Sequence, residues 1–247
     1  MYRQMEVVKD KVKPRLGRVK MVCDCAIDPK LEEQGEAVKA CFSRPNFTIF
    51  SGGMGAGKTS MVISLLKGAF KKTMHNMYVV IPEGSLHSIS PADNVFLKHL
   101  PEDSLYHDLT DEILEDIYEK AVANSAAGEY THLIVDDYGQ ELKTKPIMKQ
   151  LERLVVRMRH LKLGAIWVLC QNYYQMPKKL RELATNIFLW NTNKSQNQKF
   201  FAEQFQLGEE KFLELMRHCP TAHDWILLNL KYKRIFNNDW DEVRFRD

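Results

Sequence analysis

Residues 51–60 read SGGMGAGKTS. Within them Gly52, Gly53, Met54, Gly55, Ala56, Gly57, Lys58 and Thr59 satisfy the spacing G-x-x-x-x-G-K-[ST]. With no Cβ in the way, backbone N–H groups of such a loop can curl around phosphate oxygens. A helix starting directly behind the loop aims its positive end at the same phosphates. In this pattern Lys58 reaches the β- and γ-phosphates, Thr59 ligates Mg²⁺, and Ser60 completes the nucleotide-contacting run. The residues predict a site for a nucleoside triphosphate with Mg²⁺.

A second stretch, THLIVDD (131–137), ends an apolar run in two carboxylates. Asp136 is placed to face the Mg²⁺ side, and Asp137 to orient or deprotonate an attacking water. Phosphoryl transfer to an acceptor needs no second acid for water, so the pair points to hydrolysis. Gln171 ends another apolar run, GAIWVLCQ (164–171). An amide there can donate to a γ-phosphate oxygen and accept from water, as a sensor of hydrolysis must. Charge developing on the γ-phosphate calls for an arginine, and Arg157, Arg159 and Arg181 are the candidates. Each also reads as a surface residue. An arginine acting in trans would require a dimer or a ring.

These residues need a scaffold that brings them to one edge. NFTIF (46–50), MYVVIP (77–82), THLIVDD, GAIWVLCQ, NIFLW (186–190) and DWILLNL (224–230) read as strands, β-branched and apolar throughout. Helical character follows the glycine loop (58–70). It returns over 109–123, where Thr110 is a plausible N-cap, and over 147–161, where Ile147, Leu151, Leu154, Met158 and Leu161 form one stripe. Strands apolar on both faces, alternating with helices, predict an α/β fold: a mainly parallel central sheet covered on both sides. In such sheets ligands sit beyond the carboxyl ends of the strands, where Asp136, Asp137 and Gln171 fall. Residues 84–101 are polar and turn-rich, with no clear period.

The chain has 247 residues, 45% of them hydrophobic, enough for one substantial core. Residues 1–45 read as a basic N-terminal arm and approach segment, and 46–247 as the nucleotide-binding domain. Net charge is only +3, but Lys9, Lys11, Lys13, Arg15, Arg18 and Lys20 crowd the arm. That arm is either a nucleic-acid contact or a solvated tail. No apolar run approaches the ~20 residues of a membrane span, and no secretory core follows Met1, so a protein that is not secreted is expected. Five cysteines without framework spacing suit a reducing compartment. Neither Cys23 with Cys25 nor Cys219 with His218 and His223 supplies two clean zinc half-sites.

NFTIFSGGMGAGKTS, THLIVDDYGQ, RHLKLGAIWVLCQNYYQMPKKLRELATNIFLW and RIFNNDWDEV span most of the region from 46 to 243. Together they resemble the genome-packaging ATPases of nucleocytoplasmic large DNA viruses and their virophages, in the FtsK–HerA superfamily. The strand ending in Gln171, with YYQMPKKLRELATNIF behind it, and the Arg159-His160 pair just before it are much more specific than the glycine loop. The resemblance implies a three-layer P-loop NTPase of RecA-like, FtsK–HerA type. It implies an ATP-driven motor that moves double-stranded viral DNA into a preformed capsid and works as a homo-oligomeric ring of five or six subunits. A capsid or portal-vertex protein is the implied partner, and the host cytoplasm, viral factory or virion the implied location. Lys58 and Thr59 would hold ATP and Mg²⁺, Asp136 would help place the metal, Asp137 would take the catalytic acid position and Gln171 the sensor. Many superfamily members carry glutamate where this chain has Asp137.

From the residues alone, DNA contact needs lysines and arginines on a shared surface. The Lys149–Arg153–Arg157 stripe and the Lys178, Lys179, Arg181 group are candidates beside the arm, and each also reads as a solvated face. No base-reading element stands out, so little sequence specificity is expected. The competing readings are a nucleoside or small-molecule kinase and a non-motor nucleotide switch. The first would want an arginine-rich lid and an acceptor pocket. A guanine-specific form of the second would want N-K-x-D, which NTNKSQNQ (191–198) does not complete.

Overall fold

The computed structural model describes residues 35–70, 75–191 and 208–244. The basic stretch 9–20, Cys23, Cys25 and positions 192–198 lie outside the described residues. In chain order the chain forms α1 (Glu36–Phe42), β1 (Asn46–Ser51), α2 (Lys58–Lys67), β2 (Met77–Val80), α3 (Glu83–His87) and α4 (Val95–His99). There follow β3 (Leu105–Tyr106), α5 (Asp111–Ala126), β4 (Thr131–Asp136), α6 (Lys145–Val156), β5 (Leu163–Cys170) and α7 (Lys178–Leu183). The last elements are β6 (Asn186–Trp190), α8 (Glu209–Met216), β7 (Trp225–Asn229) and β8 (Arg234–Phe236).

The strands make one eight-stranded sheet in the order β3-β2-β4-β5-β1-β6-β7-β8. From β3 to β6 every pairing is parallel; β7 runs antiparallel to both β6 and β8. Each central strand feeds both faces with alternate residues. Leu133 and Val135 of β4, Ile166 and Val168 of β5, and Ile187 and Leu189 of β6 join the core beneath α5, α6, α7 and α8. Ile134, Trp167, Phe188 and Trp190 point the other way, into a core shared with α1, α2, α3 and α4. That second core is aromatic: Phe50 stacks on Phe188 with centroids 4.7 Å apart, and Trp167 meets Phe42 and Phe70. The result is the expected three-layer α/β architecture.

Three details differ from the sequence reading. The apolar stripe predicts a helix to Leu161, but α6 ends at Val156 and the chain turns through Arg157 to Lys162, which has a φ of 48°. Met158 and Leu161 are buried all the same, so burial kept a helical-looking period where the backbone had left the helix. The unreadable segment 84–101 holds two five-residue helices; Asn94 caps the second by accepting from the Leu97 amide at 3.2 Å. Finally, α1 lies within the stretch read as an approach segment, yet Ala37, Cys41 and Phe42 are core residues. The expected cap does form: Thr110 accepts from the Ile113 amide at 3.2 Å and starts α5 at Asp111.

Candidate nucleotide-hydrolysis site

Strand order and register explain why distant residues meet. β5 lies between β1 and β4, pairing Ser51 with Cys170 and Leu169 with Asp136. The three strands therefore end level, and Gly52, Asp137 and Gln171 leave the sheet at one edge. The Gly52 amide donates to the Cys170 carbonyl at 3.2 Å, tying the start of the glycine loop to the tip of β5.

The loop needs its glycines for two separate reasons. At Gly52 a Cβ would stand 2.8 Å from the Trp190 Cβ, closer than such atoms sit, and a tight 3.2 Å from the Ala56 Cβ. At Gly55 and Gly57 the φ values are 73° and 99°, the left-handed region that side chains resist. Gly57 is also the residue that turns the loop into α2. Lys58 is buried and donates its Nζ to the carbonyls of Gly52 and Gly53 at 2.8 and 3.0 Å. Burial lowers the pKa of its ammonium, while the neighbouring Asp136 carboxylate pulls the other way. Met54 stands out in solvent at the loop tip.

Thr59 Oγ1 donates to Asp136 Oδ2 at 2.7 Å across the gap between α2 and β4. Burial pushes the Asp136 carboxyl up to about 6, against the hydrogen bond from Thr59 and the charge of Lys58. Next in sequence, Asp137 has a φ of 66°, a strained value for a non-glycine residue. Its Oδ1 accepts from Gln171 Nε2 at 3.0 Å, and its Oδ2 lies 3.5 Å from Ser85 Oγ, at the long limit of a hydrogen bond. The two aspartates are thus divided by environment. Asp136 is buried beside the helix terminus, and Asp137 is exposed on the wall of the cleft.

A cleft of about 420 Å³ is shared by Lys58, Thr59, Ser85, Asp136, Asp137 and Gln171. Its volume is in the range of small-molecule sites. The oxygen donors of Thr59 and Asp136, 2.7 Å apart, suit Mg²⁺, a hard cation that takes one or two carboxylates and draws its remaining ligands from substrate phosphate and water. Among the described residues no group of three or more His, Cys, Asp or Glu forms a metal cage.

The structure gathers the glycine loop, Lys58, Thr59, Asp136, Asp137 and Gln171, with Ser60 exposed at the rim. It does not gather the three arginines. Arg157 and Arg159 precede β5, whereas Gln171 follows it, which puts them roughly 25 Å from the cleft at ~3.3 Å per strand residue. Arg159 is exposed; Arg157 donates to Tyr118 Oη at 2.7 Å. Arg181 is buried, with its guanidinium 5.5 Å from the Tyr173 ring centre.

The expected cationic rows are exposed in part, with several members engaged by acids and a ring. Arg153 pairs with Glu115 and lies 3.6 Å above the Tyr118 ring, joining α6 to α5. Lys178 faces Glu182 and Lys179 faces Glu152, each at 3.6 Å. Two residues of the site escape the sequence reading. Ser85 sits in the segment without a period, and Trp190 reads only as a strand residue although it forms the floor beneath Gly52. A third, His223, places Nδ1 3.4 Å from the Ala56 carbonyl and braces the loop from the β7 side. Among the described residues no helix is long and apolar enough to cross a membrane.

The fold is similar to that of B204, the DNA-packaging ATPase from Sulfolobus turreted icosahedral virus. The TM-score is 0.60 at 14% identity, covering 81% of this chain and 98% of that one. The genome packaging NTPase B204 from Sulfolobus turreted icosahedral virus 2 matches in complex with AMPPCP (TM-score 0.57, 15% identity, 81% and 98% coverage). Its complex with ATP-γS matches at 0.56 and 16% identity, with the same coverage. At these identities the likeness establishes a shared fold. No curated protein matches the chain in sequence. The profile of one family, described as Poxvirus A32 protein, matches residues 39–235, which is most of the chain, and the protein belongs to that family.

Proposed function

We propose that the chain is an ATP-hydrolysing motor that moves double-stranded viral DNA into a preformed capsid. The observation that carries the hydrolytic half is the juxtaposition at the strand tips. A phosphate-binding loop, a buried metal-side aspartate and a second aspartate held by Gln171 share one cleft. The packaging half is supported by family membership and by the fold shared with the two B204 proteins, one a DNA-packaging ATPase and the other a genome packaging NTPase solved with AMPPCP and ATP-γS.

Each residue then has a task. The amides of 53–59 and the N-terminus of α2 cradle the phosphates, and Lys58 leaves its loop carbonyls for the β- and γ-oxygens. Thr59 and Asp136 would hold Mg²⁺, which neutralises phosphate charge when bound. Asp137 accepts a proton from water as the water oxygen bonds to the γ-phosphorus. The bond from that phosphorus to the β-γ bridging oxygen breaks, and ADP leaves. Gln171 fixes the Asp137 carboxylate and lies where it can report loss of the γ-phosphate to β5. No arginine of the same subunit reaches the cleft from positions 157 or 159. Arg159, exposed at the opposite edge, is therefore assigned to a neighbouring subunit's site in a ring.

The second acid, Asp137, exposed on the cleft wall beside buried Asp136, also favours hydrolysis over transfer to a small acceptor. The test is ATP-dependent displacement of a third strand from duplex DNA by the full chain, followed alongside ATP hydrolysis. Displacement that needs hydrolysable ATP supports a motor. Hydrolysis without displacement at any ring-forming concentration removes the motor, and phosphate transfer to nucleosides in place of water removes the hydrolase.

A further inference from the structure

A cavity larger than the cleft over the acids lies elsewhere. A groove of about 700 Å³ runs along the other flank of α2, between Met61 and Ser64 on one wall and the turn after β8 on the other. We infer that its loop-side end, formed by Met61, Trp225, Asn238 and Trp240, is the subsite for the purine base of the bound nucleotide. This inference rests on the reading of the glycine loop as a triphosphate site.

Register places the groove at the correct edge. β7 runs antiparallel to β6 and pairs Trp225 with Trp190, the tryptophan beneath Gly52. β8 pairs Phe236 with Leu227 and runs toward the same edge, so residues 237–240 emerge three strands away from the β1 that feeds the loop, and beside Trp225 of β7. His223, two residues before Trp225, touches the Ala56 carbonyl and links groove to loop. Along α2, the Met61 amide donates to the Gly57 carbonyl, so one helical turn of ~5.4 Å separates the phosphate-gripping residues from the groove wall.

The turn is also built like a site. The Asn237 amide donates to the Asp241 carbonyl at 3.0 Å, and Asn237 Oδ1 accepts from the amides of Asp239 and Asp241. A two-pronged Arg234–Glu242 pair, 3.1 Å at each contact, clamps its base. At its centre Trp240 has a φ of 66°, a costly conformation for a bulky side chain that persists only where surroundings impose it. The strain presents the Trp240 ring, half-buried, edge-on to Trp225 at 5.0 Å and along the groove. Asn238 Nδ2 donates to Asp224 Oδ1 at 3.2 Å, which leaves the Asn238 Oδ1 as the acceptor at the groove. An aromatic face beside apolar Met61 and that oxygen is the chemistry that holds a flat heterocycle bearing an amino group: stacking with a hydrogen bond at its edge. The groove on the opposite flank of α2, toward α3 and α4, has no aromatic residue in its lining; serines and the Lys67–Asp93 pair line it instead.

The test separates base from phosphate. Binding of a non-hydrolysable ATP analogue and of inorganic triphosphate is measured by competition for wild type, Trp240→Leu, Asn238→Ala and Lys58→Ala. Trp240→Leu should weaken the ATP analogue at least tenfold and triphosphate less than twofold. Asn238→Ala should follow the same pattern with a smaller loss, and it leaves the tryptophan packing intact if Trp240→Leu does not fold. The analogue, but not triphosphate, should quench tryptophan emission in wild type. Equal losses for both ligands, or none for the analogue, in the folded Trp240 or Asn238 variants would overturn the base subsite. Lys58→Ala should weaken both ligands; if it weakens neither, the phosphate reading itself fails.

Discussion

Gln171 Nε2 donates to Asp137 Oδ1 at 3.0 Å, joining the tips of two adjacent strands. The contact exists because β5 is inserted between β1 and β4, so the strand that follows the acids in sequence stands between them and the glycine loop in space. A left-handed backbone at Asp137 turns the carboxylate toward that amide. The pairing suggests how the cleft is kept in order: Gln171 limits where the exposed acid can point.

Replacing Gln171 by Ala should therefore lower kcat by about 10–100-fold, a part of what a positioned base contributes. KM should change less than about threefold, because the glycine loop, Lys58 and the N-terminus of α2 carry most of the phosphate contacts. Steady-state ATPase assays check both. A fall in kcat matched by an equal rise in KM would mean that Gln171 mainly binds nucleotide.

Gly52→Ala should destabilise the protein by about 1–3 kcal/mol, the usual range for forcing a methyl into a packed site. The clash is with the Cβ of Trp190, 2.8 Å away, so Trp190→Ala in the same chain should not rescue it. Thermal unfolding of the two single variants and the double variant decides the matter. Recovery in the double variant would show that ring atoms, not the Cβ, set the crowding.

Burial holds the Asp136 pKa at about 6, above the ordinary 3.8. With a raised native pKa, the native state binds the extra proton between about pH 4 and 6, so stability falls as pH rises through that window. At neutral pH the ionised buried carboxylate costs about 3 kcal/mol. Without nucleotide, Asp136→Asn should thus unfold at a higher temperature than wild type at pH 7, and the difference should shrink toward pH 4. Melting curves across that range test the sign; an Asn variant that is less stable at pH 7 would contradict it. The same substitution should abolish Mg²⁺-dependent hydrolysis.

Arg153 holds α6 to α5 through Glu115 and the Tyr118 ring. Arg153→Ala should cost about 1 kcal/mol of stability. The slope of DNA affinity against salt should stay unchanged, because no phosphate contact is removed. Urea unfolding and salt-titrated duplex binding report the two effects separately. A slope reduced by about one charge would restore the α6 stripe as a DNA surface.

If Arg159 serves a neighbour's site, Arg159→Ala should lower kcat by about 10³-fold or more. Mixing it with inactive Lys58→Ala subunits should recover part of the activity, since some interfaces then hold an intact loop and an intact arginine. Mixtures no more active than their components would place the residue outside catalysis in trans.

Much of this site is legible in the residues because its chemistry is local. Gly52 to Thr59 carry their own spacing, and the runs ending at Asp137 and Gln171 end in polar residues where the sheet ends. The alternation of Leu133, Ile134 and Val135 between two cores is equally readable, since a strand covered on both faces is apolar at every position. What was hidden depends on register and on side-chain pairing across the fold. Ser85 meets Asp137 from 52 positions away, and its segment has no period to mark it. Arg153 and Arg157 form a cationic stripe in one dimension; only the packing of α5 against α6 shows that Glu115 and Tyr118 engage them. Trp240 takes its importance from a backbone angle that no composition reveals.

The most direct test uses Asp137→Asn, which keeps the shape of the acid and removes its ability to take a proton from water. Single-turnover hydrolysis and ATP binding are measured on the same preparation with Mg²⁺. The variant should bind ATP within about threefold of wild type and hydrolyse it at least 100-fold more slowly. Wild-type turnover by the variant would show that water is activated elsewhere, and the assignment of the cleft to hydrolysis by this acid pair would be wrong.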